Sequence, residues 1–297
     1  MNNVKTIFSI KDLENLSGIK AHTIRIWEKR YAILQPMRSD TNIRFYDLQN
    51  LQKLLNITML HKHGYKISKI ATFPDEKIPA LVKQIISDKS VRHHAVNAFK
   101  IAMMNFDQAL FFSTYNSLLA ERSFGEVFYE VFIPLLNEIG LLWQTETITP
   151  AHEHFISYLV RQKILTNTEK LQANEPQKTD KVFILFLPIG EIHELGLLYI
   201  NYEIILRGYK SIYLGESLPV HYLKDIRRHF DNITFVSYFT VQPHPGDAGS
   251  YVDKMSNEIL DERAELWLLG RNTEKLKIPD SQNIKLYTSI AALVDNL

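Results

Sequence analysis

The sequence predicts an α+β multidomain chain, and three observations carry that prediction. Residues 1–73 hold 12 Lys and Arg against 5 Asp and Glu, and they pair two short amphipathic helices around a glycine turn. From about Ile78 to Lys170 the spacing of apolar residues keeps a helical period with no convincing strand. From Val182 to Tyr287 strongly apolar strands alternate with helical segments of about a dozen residues, the pattern of a parallel sheet. The expected domains are 1–75, a helix-turn-helix with a wing; 76–172, a four-helix bundle; and 180–297, a flavodoxin-like (Rossmann-like) α/β domain.

In the basic head, Ser9 is placed to cap a short helix, with Asp12 three residues later and Leu13 and Leu16 on its apolar face. Ser17-Gly18 breaks that helix, and a second runs from about Lys20 to Arg30, with Ile24 and Trp27 turned inward. Its other face carries His22, Arg25, Ile26 and Lys29, with Thr23 beside them. Between Gln35 and Tyr46 two extended pieces flank a polar turn, which places Arg38 and Arg44 for phosphates. The remainder of the chain holds 22 Lys and Arg against 28 Asp and Glu, so a basic head on an acidic body points to a polyanionic partner at one end.

Thr23-Ile24-Arg25-Ile26-Trp27-Glu28-Lys29-Arg30-Tyr31, followed by Arg38 and Arg44-Phe45-Tyr46, resembles the winged helix of MerR-type transcription regulators over roughly residues 6–73. The resemblance implies double-stranded DNA as partner, contacted by His22, Thr23, Arg25, Lys29, Arg38, Arg44 and Tyr46. Leu48 to Leu60 makes only a short apolar helix before His63-Gly64, so pairing of protomers is expected elsewhere.

Phe73-Pro74-Asp75 and Pro79 mark the expected boundary of the head. In the bundle, Phe106 to Leu119 and Val127 to Ile139 are amphipathic stripes, and segments near 80–100 and 150–168 complete four helices. The third helix ends at Gly140-Leu141-Leu142-Trp143, and the fourth opens with Thr149 as cap and Pro150 at its first position. Glu153-His154 lies in its first turns.

After a polar linker, Asn174 to Asp180, strands are expected at 182–187, 211–214, 233–239, 265–269 and 284–287, with helices at 196–206, 219–230 and near 247–260. Glu191-Ile192-His193-Glu194-Leu195-Gly196 directly follows the first strand, which places the imidazole at the carboxyl edge of the sheet, where open α/β sheets bind ligands. The acid-x-His-x-x-Gly spacing resembles the cobalt-ligating loop of cobalamin-binding domains. Trp143 followed by Glu153-His154 is similar to the helical cap of cobalamin-dependent regulators of the CarH type.

These resemblances imply a cobalamin cofactor, as adenosylcobalamin or methylcobalamin, held between bundle and sheet. His193 would ligate cobalt from below with Glu191 setting its tautomer, while Trp143, Glu153 and His154 cover the upper face. Gly196 would belong to the cofactor-binding loop, and Ser237 and Gly270 would meet the nucleotide tail. Two positions depart from the family pattern: Arg271 stands where a second glycine is usual, and Gln144 stands where light-sensing members carry a histidine.

With 45% hydrophobic residues over 297, the chain can bury more than one core, and with no cysteine it has neither disulfides nor thiolate metal sites. Neither an apolar leader after Met1 nor an uncharged apolar run of membrane-spanning length is read, so a cytoplasmic protein is expected. The expected function is a non-enzymatic repressor that binds a palindromic operator as a homo-oligomer under cobalamin control. A cobalamin-independent regulator with a degenerate sensor domain, or a corrinoid carrier for methyl transfer, would share most of these features.

Overall fold

A computed structural model describes residues 7–39, 41–84, 88–244, 246–273, 276 and 283–297. The chain divides into two compact units, Met1–Leu159 and Val160–Leu297.

The first unit opens with α1 (Ile10–Ser17), whose Ser9 and Asp12 form a reciprocal capping box and which ends at Gly18 in the left-handed region. The second helix, α2 (Ala21–Tyr31), buries Ile24 and Trp27 as its spacing requires. The wing pairs β1 (Met37–Arg38) with β2 (Arg44–Phe45) antiparallel, Arg38 opposite Arg44. Tyr46 extends it by exchanging backbone hydrogen bonds with Phe8. Next come α3 (Leu48–Lys62), capped by Asp47, and α4 (Ile67–Ile70).

Helix α5 (Lys77–Gln84) packs on α3. Pro79 therefore lies in a helical first turn, where its missing N–H costs nothing, and does not end the element. Helices α6 (Asp88–Asn105) and α7 (Gln108–Leu119) follow. The third bundle segment, read as one helix, is composite: α8 (Phe124–Val127), a π-helical turn Phe128–Phe132, and α9 (Ile133–Gln144). Ile133 N–H donates to the Phe128 carbonyl, five residues back, and Pro134 has no N–H to continue the α pattern. Phe99, Phe111, Phe128 and Phe132 are fully buried and stack or tilt against one another as the core of these helices. Helix α10 runs from Pro150 to Gln172.

The second unit is a five-stranded parallel sheet of β3 (Lys178–Phe186), β4 (Tyr209–Gly215), β5 (Ile233–Tyr238), β6 (Ala264–Leu269) and β7 (Ile284–Tyr287). The spatial order is β4-β3-β5-β6-β7, the doubly wound order in which the chain reverses direction between β3 and β5. Strand β3 is longer than expected and absorbs much of the polar linker. Its apolar part from Phe183 to Phe186 is almost wholly buried, because helices cover both sheet faces. Helix α11 (Leu195–Leu206) is buried from Leu197 to Ile204.

The helix expected over 219–230 is reduced to a 3₁₀ turn, Val220–Tyr222, and α12 (Leu223–Arg227). Val220 and Leu223 are its buried anchors, with Ile226 and Phe230 only partly buried against the same core. Helix α13 (Ala248–Glu258) and a short α14 (Ile290–Val294), which the sequence reading lacks, complete the unit.

Candidate functional site

In the head, His22, Arg25 and Lys29 are exposed on one face of α2, with Thr23 half-buried and its hydroxyl 3.3 Å from His22 Nε2. Arg25 and Lys29 have no carboxylate partner among the described residues. Arg38, exposed on the wing, is steadied by the Asn42 side-chain carbonyl. Glu28, which the sequence reading left unassigned, organises this face. Its Oε1 accepts from Arg44 Nε at 2.9 Å and its Oε2 from the Tyr46 hydroxyl at 2.9 Å, joining wing to helix.

Tyr46 is therefore corrected. It is fully buried, and both burial and the Glu28 carboxylate push its hydroxyl pKa up, so it holds the wing and is not presented to a ligand. A polar residue directly after the core Trp27 was the signal for Glu28, but nothing in the spacing names its two partners.

At the end of α9, Trp143 is 55% exposed and Leu141 is 62% exposed. On α10, Tyr158 is exposed, His154 is exposed with Nδ1 3.3 Å from Glu153 Oε2, and Glu153 also accepts from the Ser157 hydroxyl at 2.7 Å. Trp143, Leu141 and Tyr158 are thus large side chains that the first unit leaves in water. The side chain of Gln144 lies outside the described residues. The cap of α10 differs from a simple threonine cap. His152, buried and stacked on Phe106, accepts from Thr149 N at 3.2 Å and lies 2.9 Å from the Thr149 hydroxyl.

In the second unit, the loop after β3 stands at the carboxyl edge of the sheet, beside the topological reversal. Glu191 is completely buried and accepts six hydrogen bonds. Its Oε1 takes Ile192 N at 2.9 Å, His193 N at 3.0 Å and His193 Nδ1 at 2.6 Å. Its Oε2 takes the backbone N–H groups of Thr240, Val241 and Gln242 at 3.1, 2.6 and 2.8 Å. Burial alone would push this carboxyl up. The His193 ring N–H and the backbone donors more than offset that, and its pKa falls to about 2.

In a neutral ring, an ionised Glu191 accepting from Nδ1 fixes the tautomer with its proton on that nitrogen, the arrangement of a metal-ligating histidine with a carboxylate behind it. The His193 side chain is 52% exposed. Ile189, Ile192 and Val241 are exposed apolar neighbours in the loops around it.

The loops of this edge are fastened to one another. Ser217 Oγ accepts from Gly190 N at 3.1 Å, and Leu218 N donates to the Leu187 carbonyl at 2.9 Å. Asn272 donates to the carbonyls of Val241 and Pro243, so the segment whose N–H groups Glu191 collects is held from its carbonyl side as well. Glu194, next to His193, accepts from Tyr213 at 2.9 Å and pairs with Arg161 Nε at 2.7 Å.

Three further positions expected at the cofactor have local structural roles. A Cβ on Gly196 would stand 2.7 Å from the Tyr238 ring, so the space this glycine frees is taken by that ring. The buried Ser237 hydroxyl donates to the Phe186 carbonyl at 2.9 Å. Gly270, at φ +111, lies so close to the Phe239 carbonyl that a Cβ would meet it at 2.4 Å. Arg271 is exposed at the start of the next turn.

Comparison with known proteins supplies the remaining findings. Residues 8–77 match the MerR HTH family of regulatory proteins, and residues 95–165 match the B12 binding domain. The second match covers Trp143, Glu153 and His154 on the bundle helices. The chain is 27% identical over 218 residues to the HTH-type transcriptional repressor CarH of Myxococcus xanthus, covering 71% of this chain and 72% of that protein. It is 23% identical over 216 residues to the repressor CarA of the same organism, covering 71% and 68%. The monomethylamine corrinoid protein of Methanosarcina barkeri superposes with a TM-score of 0.58 at 12% identity, over 69% of this chain and 97% of that one, a likeness of fold. Among the described residues no helix is long and apolar enough to cross a membrane. The chain thus joins a MerR-type helix-turn-helix to a B12 binding domain.

Proposed function

We propose that this chain, a MerR-type DNA-binding regulator with a cobalamin-binding region, is a cytoplasmic repressor working as three functional parts, 1–75, 76–172 and 180–297. Arg25, Lys29, Arg38 and Arg44, with His22 and Thr23, contact a palindromic operator, and Glu28 and Tyr46 position the wing. His193 Nε2 would hold the cobalt of adenosylcobalamin or methylcobalamin, Glu191 would orient the ring, and Trp143, Glu153 and His154 would pack on the cofactor. Cobalamin, when bound, would supply a cobalt able to take an imidazole nitrogen. Its binding changes how protomers associate, and through that whether two wings reach adjacent half-sites.

The observation that carries this reading is the buried, ionised Glu191 committed to His193 Nδ1. A carboxylate with six donors is an expensive arrangement for a surface histidine with no task. The test is a visible spectrum of the protein after gel filtration with adenosylcobalamin, paired with operator gel shifts with and without it. Retained, histidine-ligated cofactor and a changed operator affinity are expected. Protein that elutes colourless from saturating cobalamin sinks the reading. The cobalamin-independent regulator would then stand, and Tyr238 against Gly196 together with Arg271 are the features that favour it. The likeness to a corrinoid protein is one of fold and does not make this chain a methyl carrier.

A further inference from the structure

Away from the histidine loop, the first unit carries a half-open cavity of about 620 Å³. Its walls come from α1 and α3 of the head and from α6 and α9 of the bundle, so any occupant bridges the two. Volumes of this order suit small organic ligands.

The charged groups on its wall are mostly cations, and several polar groups have bonding capacity left over. Lys100, 5% exposed, gives its ammonium to Glu138 Oε2 at 2.6 Å and the Leu16 carbonyl at 3.1 Å, which accounts for two of its three N–H groups. Thr58, 4% exposed, has a buried hydroxyl with no hydrogen-bond partner. Arg92 pairs its terminal nitrogen with Glu130 at 2.9 Å, while its buried Nε has no partner. Lys62, His63 and His93 also line the cavity, against the single carboxylate Glu138. Between these groups lie Leu55, Met59, Val96 and Leu142.

Buried polar groups without a partner are rare and costly in a folded protein, and two of them around one cavity, beside an ammonium with one N–H to spare, call for a ligand rich in acceptors. The cationic excess makes that ligand an anion, and the aliphatic wall gives it an apolar body. We propose that the cavity between head and bundle is a binding site for an organic carboxylate with an apolar chain, its carboxylate received by Lys100, Arg92 and Thr58. This site is separate from the one proposed for cobalamin and does not depend on it.

Titration calorimetry of the full chain with octanoate, octan-1-ol and inorganic phosphate tests it. Octanoate should bind, and the alcohol and phosphate should bind at least about tenfold more weakly, since each lacks one half of the recognition. Lys100→Met should abolish octanoate binding, but loss of the Glu138 pair could unfold it. Thr58→Val is the independent variant. Removing a partnerless hydroxyl should leave the unliganded melting temperature unchanged or higher, yet weaken octanoate several-fold. The proposal is overturned if octanoate does not bind, if octan-1-ol binds as tightly, or if folded Thr58→Val binds octanoate like the wild type.

Discussion

The winged head and the histidine loop each arrange a basic side chain around a carboxylate, and they do so in opposite ways. In the head, Glu28 makes two side-chain hydrogen bonds and holds the wing, while Arg25 and Lys29 stay exposed on α2. In the loop, Glu191 is buried, collects six donors and holds one histidine in one tautomer. A polyanion is read by charge at several points and tolerates small errors in each. A metal takes its ligand along one direction, so that ligand must be oriented in advance. The second arrangement costs more to build and should cost more to break.

The largest effect is expected for Glu191→Ala. Backbone N–H groups at 240–242 and the His193 ring would lose their shared acceptor, at about 3–5 kcal/mol of folding stability. Urea unfolding measures this, and a loss under about 1 kcal/mol would mean that water replaces the carboxylate and the contrast with Glu28 fails.

Next in size is His193→Ala. Cobalamin affinity should fall by about a hundredfold or more, while the melting temperature stays close to that of the wild type, because the ring is half exposed and contributes little to the core. Equal loss of fold and of binding would remove the distinction between a positioned ligand and a structural group.

A pH series sharpens the comparison from another side. Because the folded-state pKa of Glu191 is depressed from 4.5 to about 2, its stabilising contribution is complete above about pH 4.5 and is lost as pH falls toward 2. Glu265, bonded to Lys181, Lys285 and Thr234 and also near 2, adds to the same acid slope. Glu191→Gln should flatten that slope, and an unchanged acid limb in this variant would assign it elsewhere.

The smallest expected changes are in the head. Arg25→Ala should reduce the log–log salt slope of operator binding by about one, with folding stability altered by under about 0.5 kcal/mol. Glu28→Gln should weaken operator binding mildly through a looser Arg44. An affinity loss in Glu28→Gln larger than in Arg25→Ala would show that positioning outweighs charge in the head too.

The acid-x-His-x-x-Gly spacing, the capped helix at Ser9 and the strand–helix alternation could be read directly, because each depends on neighbours within a few residues. Trp143 and the Glu153-His154 pair could be linked only through family resemblance, since the nine intervening residues carry no local rule that joins them. Glu28, Tyr46 and Tyr238 could not be assigned. Tyr46 shares its neighbourhood in sequence with exposed residues, and only folding buries its ring and brings its hydroxyl to Glu28.

The sequence by itself determined the basic head, the parallel strands and the histidine at the sheet edge, because apolar period, charge balance and turn residues act locally. Tertiary structure alone decided that Glu191 would draw its other donors from residues 240–242, some fifty positions away. It also decided that Gly196 would make room for Tyr238, and that Lys100 of one helix would face Leu16 and Glu138 of two others. Those pairings are set by which loops the doubly wound sheet brings to one edge and which helices the bundle lays against the head. No residue pattern confined to one segment encodes them.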